Sequence, residues 1–351
     1  AVSWGFFLQN DIKMCTQANE WAYNTSTKKL SIYSTSTPTN INVPTVQTAI
    51  SCNSKQYITF DNLDIRGFNS TGINTTSQTG ITIQNCDFSF IGQDGIYAYG
   101  NSGNLIVTNC TFSNINSRGI HGGASSNATI TYNTLNRIGF YAGMGGNEDN
   151  DYTGIICHGD NTQCMYNTLT NIGFNGIYFD GNSTNVSYNN INTTNFVKDD
   201  GGGIYVYPQQ TGPSSTVSYT TRTVRDNIVI NTLGAIAGGE PSSNHSEGYG
   251  IYNDGTSPDV SYINNTVATA EYGMFFNSTD RTVIDSNTVY DCVRGLYVVN
   301  YSGYGVENLT VRYNIFVAKE ASQYAVYYEP GAATMPASFD ADYNVYARPV
   351  D

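Results

Sequence analysis

Lys198-Asp199-Asp200 stands directly before Gly201-Gly202-Gly203-Ile204-Tyr205. Two adjacent carboxylates and a lysine against a glycine turn are residue types that acid–base chemistry uses. The Gly-Ile-Tyr ending recurs along the chain and the Lys-Asp-Asp beginning does not. The recurrent part therefore reads as scaffold and the unique part as a site. Hydrolysis of a glycosidic bond needs two carboxyl groups, one protonated and one ionised. Asp180 lies one repeat before Asp199 and Asp200, and stacked repeats put such groups roughly 5–10 Å apart. Repulsion at that distance raises one pKa and leaves an acid at neutral pH. Asp180 and Asp200 are the expected working pair, with Asp199 or His158 in support. The competing structural role is a glycine turn capped by Asp199 and Asp200.

A lyase is the rival chemistry. It needs a cation to neutralise a uronate and a base to take the C5 proton. Lys198 with Arg222 or Arg225 would supply the cation, although the net charge of −13 disfavours a polyuronate. A bound Ca2+ would ease that objection, and Glu148, Asp149 and Asp151 offer it oxygen ligands without the spacing of a dedicated calcium loop. No other cofactor is implied. His121, His158 and His245 read first as packed or solvated side chains rather than ligands.

These residues must be positioned by a repeat. A glycine followed by an apolar residue and usually an aromatic occurs at Gly72, Gly95, Gly119, Gly154, Gly176, Gly203, Gly250, Gly273 and Gly295. A second register runs through Cys86, Cys110, Asn133, Asn167, Asn189, Asn227, Asn265, Asn287 and Asn314. Short strands, turn residues and a period of roughly 23 residues predict a solenoid. The expected fold is an all-β, right-handed parallel β-helix of about a dozen coils over residues 51–351. Residues 1–50 read as a capping segment and linker. In it Glu20-Trp21-Ala22-Tyr23 and Leu30-Ser31-Ile32-Tyr33 form a hairpin. A buried Asn repeated in each coil would pass hydrogen bonds up the stack. Cys86, Cys110, Cys157 and Cys164 fall at inward positions and read as small buried hydrophobes, although Cys86 and Cys110 stack closely enough to bridge.

Two segments exceed the regular coil, between Asn133 and Gly154 and between Asn189 and Gly203, with Pro208 to Thr221 also surplus. All are expected to overhang one edge of one sheet, and long loops on a rigid scaffold carry function. On that sheet strand alternation turns outward Tyr97, His121, Ile156, Tyr178, Tyr205, Tyr252, Phe275 and Tyr297. Two residues further on come Tyr99, His158, Asp180, Tyr207 and Asp254. An exposed stripe of tyrosines, acids and histidines suits a linear glycan, with Tyr97, His121, Tyr178, Tyr205, Tyr207, Tyr252, Asp254 and Lys198 as the expected contacts.

Composition agrees. Lys and Arg number 15 against 28 Asp and Glu, which disfavours nucleic acid and anionic membrane as partners. Only 12% of residues are charged, as in polar extracellular β proteins. No apolar run is long enough for a membrane span. Ala1 opens without a basic or apolar leader, so either a signal has been removed or the chain is part of a longer one.

The chain resembles the secreted right-handed parallel β-helix repeat proteins of Bacteroidetes-like bacteria, allied to pectate-lyase-like polysaccharide lyases and glycoside hydrolases. The resemblance rests on Gly5-Phe6-Phe7-Leu8-Gln9-Asn10-Asp11 with Glu20-Trp21 and Lys29-Leu30. It rests also on Gly143-Met144-Gly145-Gly146 before Tyr152-Thr153-Gly154-Ile155, on Asn175-Gly176-Ile177-Tyr178-Phe179, and on Asp199 to Tyr205. It implies a secreted carbohydrate-active β-helix and further residues upstream. It transfers no catalytic residue, since the polygalacturonase pattern is echoed only by Cys157-His158-Gly159-Asp160. The leading expectation is a glycoside hydrolase acting on a plant or algal polysaccharide or oligosaccharide. The alternative is a non-catalytic surface or filament rod whose tyrosines mediate glycan binding or self-association.

Overall fold

The computed structural model describes residues 8–52, 55–100, 103–208, 218–235, 246–300, 305–329 and 338–349. Gly5, Phe6, Phe7 and His245 lie outside them. Three strands recur in each coil, and like strands of successive coils pair in parallel, giving three sheets of 11 strands each. Sheet 1 runs from Thr48–Ser51 to Tyr324–Glu329, sheet 2 from Thr59–Asp61 to Phe339–Asp342, and sheet 3 from Asp64–Phe68 to Val345–Ala347. The chain is a right-handed parallel β-helix, about 50 Å long at the spacing of paired strands. The predicted hairpin forms from Trp21–Asn24 and Lys29–Ile32. Gln9 Nε2 donates to Gly143 O. The N-terminal segment thus lies against the first insertion, across a cleft of about 730 Å³ lined in part by Trp21, Tyr141 and Met144.

Both sequence registers have a physical cause. A Cβ on Gly95 would stand 2.6 Å from Gly119 O, and one on Gly154 2.6 Å from Gly176 O and 2.8 Å from Leu169 Cδ2. The column is glycine because the next coil's carbonyl occupies the space a side chain would need. Gly154→Ala is expected to cost about 1–3 kcal/mol by overpacking, read as a lower urea midpoint. The second register is a continuous amide ladder. Asn167 Oδ1 accepts from Asn133 N and Nδ2, each at 3.0 Å, and the pattern repeats through Asn314 to Asn344 Oδ1. Cys86 and Cys110 stand at the head of that column as free thiols, their Sγ donating to Gln84 O and Thr108 O. Cys157 and Cys164 are buried and free as well.

Insertions break the regularity around sheet 1. Ordinary coils join sheet 3 to sheet 1 through two residues, as at Asn116-Ser117. Residues 139–154, 195–200 and 233–247 lengthen that link in three coils, with the short link 173–176 between the first two. Residues 207–221 leave sheet 1 at the opposite ends of its strands. The expectation of a single overhung edge is therefore corrected: the long links join the strands of sheet 1 at both of their ends. The insertion at 233–247 is countable in the sequence as well, since Asn227 to Gly250 takes 23 residues where Cys110 to Gly119 takes 9.

Candidate functional site

The outward row of sheet 1 falls in the predicted register. Tyr97, His121, Ile156, Tyr178, Tyr205, Tyr252, Phe275 and Tyr297 stand side by side on successive strands. The row is not the open platform expected of it. Tyr178, Tyr252, Phe275 and Tyr297 are buried. Their rings pack on one another, with centroids 4.8 Å apart for Tyr178 and Tyr205, 5.1 Å for Tyr205 and Tyr252, and 4.7 Å for Phe275 and Tyr297. Parallel strands bring outward aromatics to stacking distance, and the rings satisfy each other first. Tyr97 and Tyr205 stay half-exposed, and Tyr207 is exposed.

Asp180 and Asp200 are not a pair. Phe179 aligns with Val206, so Asp180 stands beside Tyr207, whereas Asp200 precedes Gly201 at the other end of that strand. Their backbones are about 20 Å apart along the strand direction. The sequence spacing counted coils correctly and missed the offset within a coil. Asp180 is also closed off. It is 2% exposed, and its Oδ1 accepts from Arg222 Nη1 at 3.0 Å. Arg222 points into the coil, with Nη2 donating to Pro258 O and its guanidinium 3.8 Å from the Tyr219 ring centre. Asp199 is buried too, its Oδ1 accepting from Ala235 N at 3.0 Å and Glu247 N at 2.7 Å. It clamps the insertion at 233–247 rather than assisting catalysis.

Asp200 is the one of these acids that stays exposed, and the charges of Asp254 and Glu247 act on it, although Asp254 stands with Tyr207 and Asp180 towards the other end of the strands. Asp200 takes the left-handed conformation at φ 57, which Asp tolerates, and its N donates to Glu247 O at 3.0 Å. The residue is exposed at the surface, while protein packed around the carboxyl strips part of its hydration. That crowding, then the charges of Asp254 and Glu247, pushes its pKa up to about 7, against a smaller opposing hydrogen bond from Tyr252. Asp254 follows Asn253, which aligns with Val206. It accepts from Tyr205 Oη at 2.9 Å, Asn277 Nδ2 at 2.8 Å and its neighbour Gly255 N at 2.6 Å. Glu247 and Asn277 are additions to the predicted set. Asn277 was legible in principle, since it occupies the same strand position as Asp254 one coil on.

The two histidines lie on the same face. His121 is buried with Nδ1 lacking a hydrogen-bond partner, and His158 is half-buried with Nε2 likewise. Burial, then Arg118 and His158, pulls the His121 pKa down to about 3, and burial pulls His158 to about 4. Both imidazoles are neutral at neutral pH. His158 packs edge-on to Tyr178 at 4.1 Å and His121 to Tyr97 at 5.0 Å.

The expected calcium ligands and substrate cation have other duties. Asp151 Oδ1 lies 3.6 Å from Arg118 Nη1 and accepts from Ser117 Oγ at 2.7 Å, while Glu148 Oε2 is 3.2 Å from Arg118 Nη1. Asp94 completes this cluster at 2.6 Å from Arg118 Nε. A guanidinium already occupies the field a divalent cation would need. Among the described residues, no group of three His, Cys, Asp or Glu side chains could hold a metal ion. Lys198 Nζ donates to Glu148 O at 2.9 Å and Asp149 O at 2.7 Å, and lies 4.7 Å from the Phe174 ring centre. It staples the second insertion to the first, which corrects its expected contact with substrate. Arg225 sits on sheet 2 beside Asp226 at 2.7 Å. The three cations proposed for a lyase are therefore committed elsewhere.

Residues 48–218 match the family model described as right handed beta helix region, from the first strand of the solenoid to just beyond the seventh strand of sheet 1. Comparison with curated proteins finds no match. Among solved structures, the Dettilon tailspike protein is similar with a TM-score of 0.34 and 14% identity, over 81% of this chain and 60% of that one. The chain thus spans less than two thirds of that tailspike protein. No helix among the described residues is long and apolar enough to cross a membrane.

Proposed function

We propose that this protein is a carbohydrate-active β-helix, a glycoside hydrolase in which Asp200 is the general acid and Asp254 the second carboxylate. The observation that carries this reading is an exposed, crowded carboxyl whose titration is raised by the charge of a second acid, itself held by three donors. Asp200 retains its proton to about pH 7 and would give it to the leaving oxygen. Tyr205 orients Asp254, and the half-exposed edge of the tyrosine row supplies a contact for a sugar ring. Secretion belongs to the same proposal, since a polymeric glycan is met outside the cell. A panel of plant and algal glycans, read for both reducing sugars and unsaturated products, tests it. New reducing ends without unsaturation support hydrolysis, and unsaturated ends would favour elimination instead.

The acid sets the pH dependence. Cleavage is expected to fall as pH rises through about 7, where Asp200 loses its proton. Stability shifts in the same direction. The folded carboxyl titrates above its ordinary 3.8, so its contribution is complete below that value and is lost as pH rises through about 7. A pH–rate profile on wild type and Asp200→Glu would show the descending limb move with the acid.

The second reading, a non-catalytic rod, draws support from the buried aromatic row, whose rings mostly contact one another. Ordered fibres together with an inert glycan panel would favour it.

A further inference from the structure

The cleft of about 730 Å³ between the N-terminal segment and the first insertion is lined by neither Asp200 nor Asp254. Asn116, in its lining, precedes strand Arg118–His121. Gly201–Val206 follows three strands on in sheet 1, so Asp200 lies about 14 Å further along the rod. Two aromatic rings from different elements line the cleft. Trp21 stands on the hairpin, aligned with Ile32, and Tyr141 belongs to the insertion. They are 46% and 51% exposed. The outward rings of sheet 1 cover one another, but Trp21 stacks on no other ring among the described residues. Tyr141 is fixed in place, with the Phe140 ring edge-on at 5.2 Å and Arg137 Nη2 donating to its Oη.

The polar lining is uncommitted. The side-chain amides of Asn10, Asn19 and Asn116 make no hydrogen bond among the described residues, and each offers two donors and an acceptor. The charged lining residues are Asp11 and Glu20, with no lysine, arginine or histidine among the described ones. The volume is that of a small-molecule site, which runs to about 300–1,000 Å³. Open ring faces and free amides are the two halves of sugar recognition, since a pyranose offers a C–H face to the one and hydroxyls to the other. An apolar peptide would cover the three amides without pairing them. A uronate would meet Asp11 and Glu20 with no counter-charge. We propose that this cleft is a second glycan-binding site, for a neutral hexopyranose oligosaccharide, with Trp21 and Tyr141 as its stacking walls. It goes beyond the hydrolase reading, because binding there needs neither Asp200 nor Asp254.

Hexamers of glucose, of mannose and of galacturonic acid, titrated calorimetrically into Asp200→Asn protein so that cleavage is suppressed, test the proposal. A neutral hexamer is expected to bind, and Trp21→Ala and Tyr141→Ala should each weaken it about tenfold or more. Tyr141→Ala lies outside the hairpin and decides the matter if Trp21→Ala unfolds it. The chain has two tryptophans, Trp4 and Trp21, so in a Trp4→Phe variant the emission reports Trp21 alone and should shift to the blue with the calorimetric midpoint. Binding of neither neutral hexamer, a preference for galacturonate, or affinity indifferent to both rings would overturn the proposal. Cleavage by wild type together with such indifference would remove this proposal alone. Ring-dependent binding in a protein that cleaves no glycan would remove the hydrolase and leave the cleft standing.

Discussion

Asp200→Asn is expected to lower glycan cleavage roughly 10²–10⁴-fold, the usual contribution of a positioned acid or base, without lowering the melting temperature. The amide keeps the shape and the backbone bond to Glu247 O, and it removes only the proton to be transferred. It also removes a like charge from beside Asp254 and Glu247, so above pH 7 the variant should melt at or slightly above wild type. Asp254→Asn should lose cleavage to a similar extent for a different reason. Its Oδ2 accepts from Tyr205 and its Oδ1 from Asn277, and an amide there keeps one acceptor oxygen while losing the second acceptor and the charge. Tyr205→Phe acts one step removed, by releasing Asp254, and should lower kcat more than it raises KM. Were Asp200→Asn to cleave at the wild-type rate, the acid would have to be sought elsewhere on the chain.

The fold was legible because its constraints are local and periodic. A glycine must recur where the next coil's carbonyl approaches, and an asparagine must recur where one amide can satisfy the next. Both demands act on single residues, so they leave single-letter traces. The outward row was legible for the same reason, since alternation from the glycine fixes each side chain's face. Exposure was not legible, because it depends on neighbouring coils. Tyr178 and Tyr252 are outward and still buried, each covered in part by the next ring. The acids divide along the same line. Asp200 was found because it interrupts the repeat. Asp180 was misread because position along a strand is invisible to spacing counted between strands. Arg222 was read as a surface cation because a guanidinium inside a coil breaks the rule that charges stay outside, and only its partner across the turn explains it.

Asp180→Asn therefore separates the two roles an acid can have here. A catalytic Asp180 would give a variant that melts like wild type and cannot cleave. Its surroundings imply the reverse. The Asp180 and Arg222 side chains are 4% and 0% exposed, and Tyr219 Oη lies 3.5 Å from the other carboxylate oxygen. Neutralising Asp180 leaves a buried guanidinium without its counter-ion, and breaking such a pair costs about 3–5 kcal/mol. The expected result is a large fall in the urea midpoint, with cleavage per folded molecule retained. Arg222→Met should be comparably destabilising, since it leaves the carboxylate buried and unpaired. The double variant Asp180→Leu with Arg222→Met should recover much of the loss, because two apolar side chains in a closed coil need no counter-charge. A double variant no better than either single one would mean that the coil needs the pair's shape and hydrogen bonds to Pro258 O and Tyr219 rather than its neutrality. That strain would fall next to Tyr207, the residue between Asp180 and Asp254 in the stack, and would couple the buried pair to the placement of Asp254.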